Sequence, residues 1–425
     1  MFPSPDALLA CRGLKRLAPL DEPMAQFYSE IGLYRQLSVH PLRVQEPSQA
    51  KLFYVPVLPH LDQDAGACNG TGHKMRMAAV ATALRESTHW QRTNGTDHFW
   101  ACTCVMMKSM LTNTLWQLLG SAVHAVHSVP RGHASPARCQ IAIPYYNPSF
   151  LDGAASVAFR EPGLPRPTLA HFRGRVMNRV RASLVKGYGK SPNHVVEAAH
   201  PSTAARCNLN KCSAKNLAKV RVQQHHISRL IAHHSCMHHL TFSSRQVNFP
   251  SQRAHVNEMQ RSTFCLVPTG DSPPSSRLYL AIAAGCIPVI LSDAFEGAFP
   301  SNVPWRDFTL RFPEASLSGP GRRRGGGRAA VAATPKPFNL TEELLSVKSD
   351  AARLGAMQRA LQKHAADVLW EAPGSRVGSH ALGLASRAVG EVCRDDAQPA
   401  QAQAQATPAA VVPGPQISWA PLEAV

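Results

Sequence analysis

The chain contains no CxxC pair, although 11 of its 425 residues are cysteine. Cys102 and Cys104 form a CxC, and Cys207 and Cys212 stand five apart, so the paired short spacings of a structural zinc framework are missing. An odd cysteine count leaves at least one thiol outside any disulfide pairing. No apolar run approaches the roughly 20 residues that cross a bilayer, and MFPSPDALLACRGLKRLAPLDEPM at the start has no apolar core long enough for an anchor or a signal peptide. Neither GxxxxGK followed by Ser or Thr nor GxGxxG occurs, which removes the P-loop and the dinucleotide fingerprint. The absence of an internal repeat excludes solenoids and propellers. Acid is scarce: 27 Asp and Glu face 45 Lys and Arg, for a net charge of +18. Such a balance favours polyanions, anionic membranes or phosphorylated ligands. Nucleic acid is disfavoured among these, because no basic motif interleaved with aromatics appears. Part of the excess charge sits in GRRRGGGR at 321–328, a flexible basic loop by composition.

What remains is an alternation of helical and strand-like segments, which points to an α/β class. Residues 24–38 read as a helix and KLFYVPVL at 51–58 as a buried strand. A helix over 74–87, a strand in TDHFWACTCV at 96–105 and a strand in CQIAIPYY at 139–146 follow. REPGLPRPT at 160–168 reads as a linker. Beyond it come a strand in AHFRGRV and a basic helix through Arg179, Arg181 and Lys186. Residues 191–250 are rich in His, Ser and Asn, with weak periodicity. Residues 341–370 read as one helix, capped from Asn339–Thr341, with Glu342 and Glu343 in its first turn. The resulting division is an N-terminal domain over 1–160, a second domain over 161–395 with an Ala/Gly/Arg insertion at about 317–337, and a disordered Ala/Gln/Pro-rich tail over 396–425. Three Asn-x-Thr tripeptides, at Asn69, Asn94 and Asn339, are compatible with a secretory route, although chance also supplies a few.

The most informative stretch is FCLVPTGDSPPSSRLYLAIAAGCIPVILSD at 264–293. An apolar strand runs into a loop that Pro and Gly keep irregular. Ser275 stands at the N-cap position of a short helix, Gly285 closes that helix where a left-handed residue costs least, and CIPVIL is a second, wholly apolar strand. This is a βαβ unit, and ligands of such units bind beyond the carboxyl ends of the strands, at helix N-termini. The helix start offers unpaired N–H groups, Ser275 and Ser276 offer hydroxyls, Gly270 and Asp271 belong to the loop, and Arg277 adds a planar fork suited to phosphate oxygens. Arg277 therefore either grips a phosphate or diphosphate, or pairs with a nearby acid such as Asp271. Arg173, in HFRGR, is either a second cation for the same ligand or a surface charge.

These residues, followed by FEGAF and VPW, resemble the C-terminal half of the exostosin-type glycosyltransferases, a family that includes animal heparan sulfate polymerases and plant cell-wall enzymes. AKLFYVPVL resembles the family's strand before the first active-site loop, WQRTNGTDHFW its W-x-R-x-x-G-x-D-H-F motif, IAIPYYNPSF its IAVPYP segment, and VLWE its closing segment. The islands keep the family's order over about 25–371. The resemblance implies a GT-B fold, with two Rossmann-like domains facing a cleft. It also implies a nucleotide-sugar donor, usually UDP-linked and held by the C-terminal domain, a polysaccharide or glycoprotein glycan acceptor, and inversion at the anomeric carbon. No dedicated cofactor or divalent metal is expected. A Golgi membrane setting is implied, and a partner glycosyltransferase is compatible with it. Against the family pattern, the usual first strand and the anchor before it are missing, 317–337 is inserted, and 191–250 matches loosely. An inactive glycan-binding or partner-stabilising protein of the same fold is the alternative.

An inverting transfer needs a base for the acceptor hydroxyl and countercharge for the leaving diphosphate. Arg277 and its helix N-terminus address the second need. For the first, Asp97 is a candidate base or an orienter of His98, and the pair is equally suited to capping the entry of a strand. Glu296, after CIPVIL, can reach a ribose or sugar hydroxyl, while Asp293 reads as a turn former. Asp62-Gln63-Asp64 is a DxD, the triplet that other glycosyltransferases use for a metal, but it follows a strand rather than a nucleotide loop. The His pairs at 225–226, 233–234 and 238–239 lack the acid of HExxH and read as a solvated helix.

Overall fold

The structure is a computed structural model that describes residues 5–11, 25–103, 107–127, 139–146, 165–176, 178–191, 193–198, 252–270, 273–317, 338–389 and 417–419. The chain divides into two compact units. One comprises Met1–Ala18, Pro23–Tyr146 and Gly374–Val425, and the other Pro19–Glu22 and Asn147–Pro373.

The first unit holds a parallel sheet built from β1 (Arg43–Val44), β2 (Leu52–Tyr54), β3 (His98–Ala101), β4 (Val123–Val126) and β5 (Gln140–Ala142). Phe53 pairs with His98, Phe99 with Val123 and Ala125 with Ile141. Every residue of β2, β3 and β4 is buried, as in a parallel strand covered on both faces. Strand β4 lies in AVHAVHSV, whose two histidines hide it in the sequence. His124 is buried in a stack on Trp100 at 4.0 Å and bonds the carbonyl of Cys102 at 3.0 Å. Helices α1 (Pro5–Cys11), α2 (Ser29–Ser38), α3 (Pro59–Ala65), α4 (His73–Glu86) and α5 (Thr88–Thr93) belong to this unit, and a Cys11–Cys68 disulfide ties α1 to the turn after α3. One correction concerns the tail. Ile417–Trp419, within the segment expected to be disordered, is a strand paired in parallel with both β1 and β2. The three residues are β-branched, small and aromatic, a pattern that suits a strand more than its Ala/Pro/Gln surroundings do.

The second unit holds β6 (Thr168–Gly174), β7 (His194–Ala198), β8 (Ser262–Pro268), β9 (Ile287–Leu291) and β10 (Leu310–Arg311), all parallel, in the order β10-β9-β8-β6-β7. From β6 the chain goes to β7 on one side, then returns to β8 on the other. The point where strand order reverses therefore lies between β6 and β8. Helices α6 (Arg179–Tyr188), α7 (Gln252–Gln260), α8 (Ser276–Ala283), α9 (Leu340–Ser349) and α10 (Ala351–Val368) complete the unit. The βαβ reading of 264–293 holds: β8 and β9 are wholly buried, and Gly285 follows α8 with φ +63°. A Cys265–Cys286 disulfide links the two strands inside a core of Met259, Leu280, Ala281 and Ala284. The single helix expected over 341–370 is broken into two, because Asp350 accepts a hydrogen bond from Arg353 N at 2.9 Å and caps α10.

The last helix, α11 (Val377–Arg387), returns to the first unit instead of staying with the second domain as its position in the chain suggested. It packs on α2, where Gly378 N donates to Gln36 Oε1 at 2.5 Å and Gln36 Nε2 donates to Ser375 Oγ at 2.9 Å. A Cβ at Gly378 would stand 2.8 Å from Gln36, so only glycine allows this approach without a shift.

Candidate functional site

In sheets with this strand order, ligands bind beyond the carboxyl ends of the strands where the order reverses. Two residues meet there from either side. Arg277, in the first turn of α8 after β8, donates from Nη2 to the carbonyl of Arg173, near the end of β6, at 2.6 Å. Its guanidinium lies over the Phe172 ring at 4.7 Å. Gly174 makes the approach possible, since a Cβ there would fall 2.3 Å from Nη2. Burial lowers the Arg277 pKa to about 9, with the charge of Arg181 adding to the effect, and the group is still a cation at neutral pH. Its Nε is buried and makes no hydrogen bond. Among the described residues no carboxylate pairs with it. Asp271, the acid considered as its partner, lies outside the described residues.

Ser275 occupies the N-cap position of α8 with extended backbone, yet its hydroxyl caps nothing, and its Oγ is buried without a partner. Ser276 and Gly270 flank the same loop and are partly exposed. The site thus combines a helix N-terminus, an unneutralised cation, an unused hydroxyl and an unused N–H. A part-buried cation with no carboxylate partner among the described residues carries uncompensated charge, and an anion placed there would neutralise it. Oxygen-rich anions such as a diphosphate fit this donor set.

Arg173 lies on the same edge but plays a different part from the free cation considered for it. Its Nη2 pairs with Glu258 at 3.0 Å and with Glu197 at 3.3 Å, so its side chain is committed to acids while its carbonyl positions Arg277. Behind it, His171 Nε2 lies 3.2 Å from Glu258 and its ring 5.0 Å from that of His255. Burial, then the nearby arginine charges, lowers His171 to about 3; burial, then His171 and the same arginines, does so for His255. Both are therefore neutral at physiological pH. The loop after β8 is pinned from α6: Asn178 Nδ2 and Arg181 Nε donate to the Thr269 carbonyl at 2.8 and 3.0 Å. His171, Glu258 and Asn178 carried no mark in the sequence, and Arg181 stood out only as part of a basic helix. The one available signal was that His171 and Arg173, two apart on a strand, share a face.

The other candidates are scattered. Glu296 follows β9, is exposed and makes no hydrogen bond or ion pair with described residues. Asp293 accepts from Glu314 N at 3.0 Å, as a turn former does. In the first unit, Asp97 and His98 sit at the amino end of β3, the end opposite to the one where parallel sheets bind ligands. Burial opposes the charge of Asp97, but hydrogen bonds from His98 (2.7 Å), Thr93 (2.5 Å) and Arg92 (2.8 Å) outweigh it and hold the carboxyl at about 2. His98 is buried between Phe53 and Trp90. This is the strand-entry staple, the second of the two roles open to the pair. The DxD carboxylates are also occupied: Asp62 bonds Arg76 Nε at 2.7 Å and His73 Nδ1 at 2.5 Å, and Asp64 accepts from Tyr28 at 2.5 Å. Among the described residues no cluster of three or more His, Cys, Asp or Glu is arranged to hold a metal. The His pairs of 225–239 lie outside the described residues.

At the carboxyl ends of β4 and β5 the first unit carries a group that the sequence did not mark. Ser29 Oγ donates to the Pro144 carbonyl at 2.9 Å and lies 2.7 Å from His127 Nε2. Since the carbonyl can only accept, Ser29 spends its proton there and must accept from Nε2–H. The neutral ring therefore carries its lone pair on Nδ1, which is buried and makes no hydrogen bond. Tyr145 and Phe27 stack on the ring at 3.6 and 6.2 Å, and burial, reinforced by His60, keeps it uncharged.

Comparison with known proteins places these features in a family. The model of the Exostosin GT47 domain matches residues 15–323, more than half of the chain. The chain is 26% identical over 312 residues to an Arabidopsis thaliana protein named "Probable beta-1,4-xylosyltransferase IRX10", covering 68% of this chain and 63% of the relative. It is 25% identical over 312 residues to a "Probable glucuronosyltransferase" of Oryza sativa subsp. japonica, covering 68% of this chain and 59% of the relative. The chain thus spans about three fifths of the length of these relatives. With two parallel-sheet α/β units, a phosphate-type donor set at the second sheet's switch point and a family model matched over most of both, the chain belongs to the exostosin GT47 family.

Proposed function

We propose that the chain is a glycosyltransferase that moves a sugar from a nucleotide donor, UDP-linked, to a polysaccharide or glycoprotein glycan, inverting the anomeric carbon. One observation carries this reading: Arg277 stands at the switch point of the second sheet as a cation with no carboxylate partner among the described residues, beside the unused Ser275 hydroxyl. Family membership and the transferase names of the relatives support it. Those names make a xylosyl or glucuronosyl donor the first to try, and the resemblance to plant cell-wall enzymes makes a cell-wall polysaccharide the first acceptor.

The acceptor hydroxyl attacks the anomeric carbon from the face opposite the leaving group. Its bond to that carbon forms as the bond from the carbon to the diphosphate oxygen breaks, and the diphosphate takes the electron pair. Arg277 and the amides at the start of α8 meet the developing charge. The proton of the acceptor passes to a base, for which Glu296, exposed after β9 in the same unit as Arg277, is the candidate in place of the strand-entry pair Asp97 and His98. No divalent metal is required in this scheme, since the guanidinium and the helix N-terminus supply the countercharge and the DxD is engaged by Arg76, His73 and Tyr28. A Golgi setting and a partner glycosyltransferase accord with the reading. Among the described residues no helix is long and apolar enough to cross a membrane.

Calorimetry with UDP and a panel of UDP-sugars, followed by a UDP-release assay with xylan and glucuronoxylan acceptors, tests the scheme. Saturable UDP binding and acceptor-dependent release are expected. Binding of the acceptor without any UDP affinity would favour the inactive glycan-binding alternative.

A further inference from the structure

We propose that Asn69 and Asn94 carry N-linked oligosaccharides and that Asn339, which shares the same tripeptide signature, does not. The inference is independent of the donor-site reading. All three sites read Asn-x-Thr in the sequence, and only their settings in the fold separate them.

Asn69 is exposed at the tip of a tight turn in which Cys68 and Thr71 exchange two backbone hydrogen bonds, at 2.9 and 3.0 Å. Asn94 is exposed at the end of α5, with φ 53° and ψ 36°. Asparagine tolerates this left-handed conformation better than most residues, and it turns the side chain away from the helix it ends. Gly95 follows at φ +79° with the Trp90 ring against it, so the turn is held in one direction. Neither side-chain amide is engaged by a hydrogen bond among the described residues. A bulky, solvated glycan at either position displaces nothing, and the Asn94 turn precedes β3 at the amino edge of the sheet, away from the ligand-binding edge.

Asn339 differs in both respects. It is half-buried and caps α9: its Oδ1 accepts from Thr341 N at 3.1 Å and its Nδ2 donates to Glu342 at 3.0 Å. The nitrogen that would be glycosylated is already bonded, and its Thr is wound into the first helical turn.

The compartment follows from the cysteines. Cys11–Cys68 and Cys265–Cys286 are disulfides, and the first anchors the turn that presents Asn69. Disulfides of this kind persist in oxidising compartments, on the route where oligosaccharide is added to exposed asparagine. The donor class is a polyprenol pyrophosphate oligosaccharide. A bond forms from Asn Nδ2 to the anomeric carbon, the bond from that carbon to the pyrophosphate oxygen breaks, the polyprenol pyrophosphate leaves with the electron pair, and the amide nitrogen gives up one proton. No oxidant or reductant is consumed.

The test uses the full chain purified from the cells that make it. N-glycans are released enzymatically in heavy-oxygen water and the peptides are mapped by mass spectrometry. Positions 69 and 94 should appear as aspartate carrying heavy oxygen, and 339 as unchanged asparagine. In gels, Asn69→Gln and Asn94→Gln should each remove one glycan's worth of apparent mass. Since Asn339→Gln would disturb a helix cap, Thr341→Val is the matching control, and it should leave the mass unchanged. An unmodified asparagine at 69 or at 94 overturns the assignment for that site, and a glycan at 339 overturns the rule that separates the three.

Discussion

At the level of single residues, the decisive question is what neutralises Arg277. Its surroundings supply an aromatic face and a backbone carbonyl, which orient the guanidinium without cancelling its charge. Arg277→Ala should abolish detectable UDP binding by calorimetry while the far-UV circular dichroism stays unchanged. Arg277→Lys should recover only part of the affinity, because an ammonium lacks the planar fork. Removing a contact of this kind typically costs ~10²–10³-fold in rate, or about 3–4 kcal/mol. An unaltered UDP affinity in the alanine variant would place the donor elsewhere. Glu296 allows a complementary measurement: Glu296→Gln should lower the transfer rate by roughly 10²–10⁴-fold, with UDP affinity intact. An unchanged transfer rate in that variant would remove Glu296 from the mechanism. Arg277 could be found from its place in the sequence. The role of Arg173 could not, since its partners Glu197 and Glu258 come from other elements and only the folded sheet brings them to it.

Among the elements, β8, α8 and β9 form the most legible part of the molecule. Both strands are apolar throughout because both faces are covered, and the glycine after the helix has the positive φ that its position called for. The disulfide inside this unit spans a separation of 21 residues, so loop closure assigns it about 3 kcal/mol of stability. Cys265→Ala with Cys286→Ala should lower the urea midpoint of the second unit accordingly, and an unchanged midpoint would mean that packing alone carries those strands. The break between α9 and α10 was not legible as a periodicity, because helical spacing continues across it; one aspartate side chain bonding back to Arg353 N creates it. Asp350→Ala should cost about 1 kcal/mol, read as a drop in melting temperature.

For the whole molecule, pH exposes how many imidazoles the fold stores neutral. His124, His171 and His255 are all lowered from 6.5 to about 3, chiefly by burial. A depressed folded pKa means that the unfolded chain binds protons first as pH falls. Stability is therefore full above about pH 6.5 and declines from there toward pH 3. Asp97 adds to the loss in the lowest part of that range, as its carboxyl, held at about 2 in the fold, begins to protonate in the unfolded chain. Glu30, whose buried carboxyl is raised well above its ordinary value, works in the opposite sense, but the imidazoles outnumber it: melting temperatures should be lower at pH 4 than at pH 8, and a higher value at pH 4 would contradict the neutral assignments.

From residue order alone came the α/β class, the βαβ unit, the arginine at its helix start and the family likeness. All of these rest on near neighbours in the chain, where apolar period and turn chemistry act over a few residues. Only the folded chain could show that the last helix returns to the first unit, that Asp62 and Asp64 are engaged by Arg76, His73 and Tyr28, that Asp97 staples a strand, and that Asn339 is used as a cap while Asn69 and Asn94 stand free. Each of those outcomes depends on which distant side chain arrives within hydrogen-bonding reach, and no local pattern encodes that.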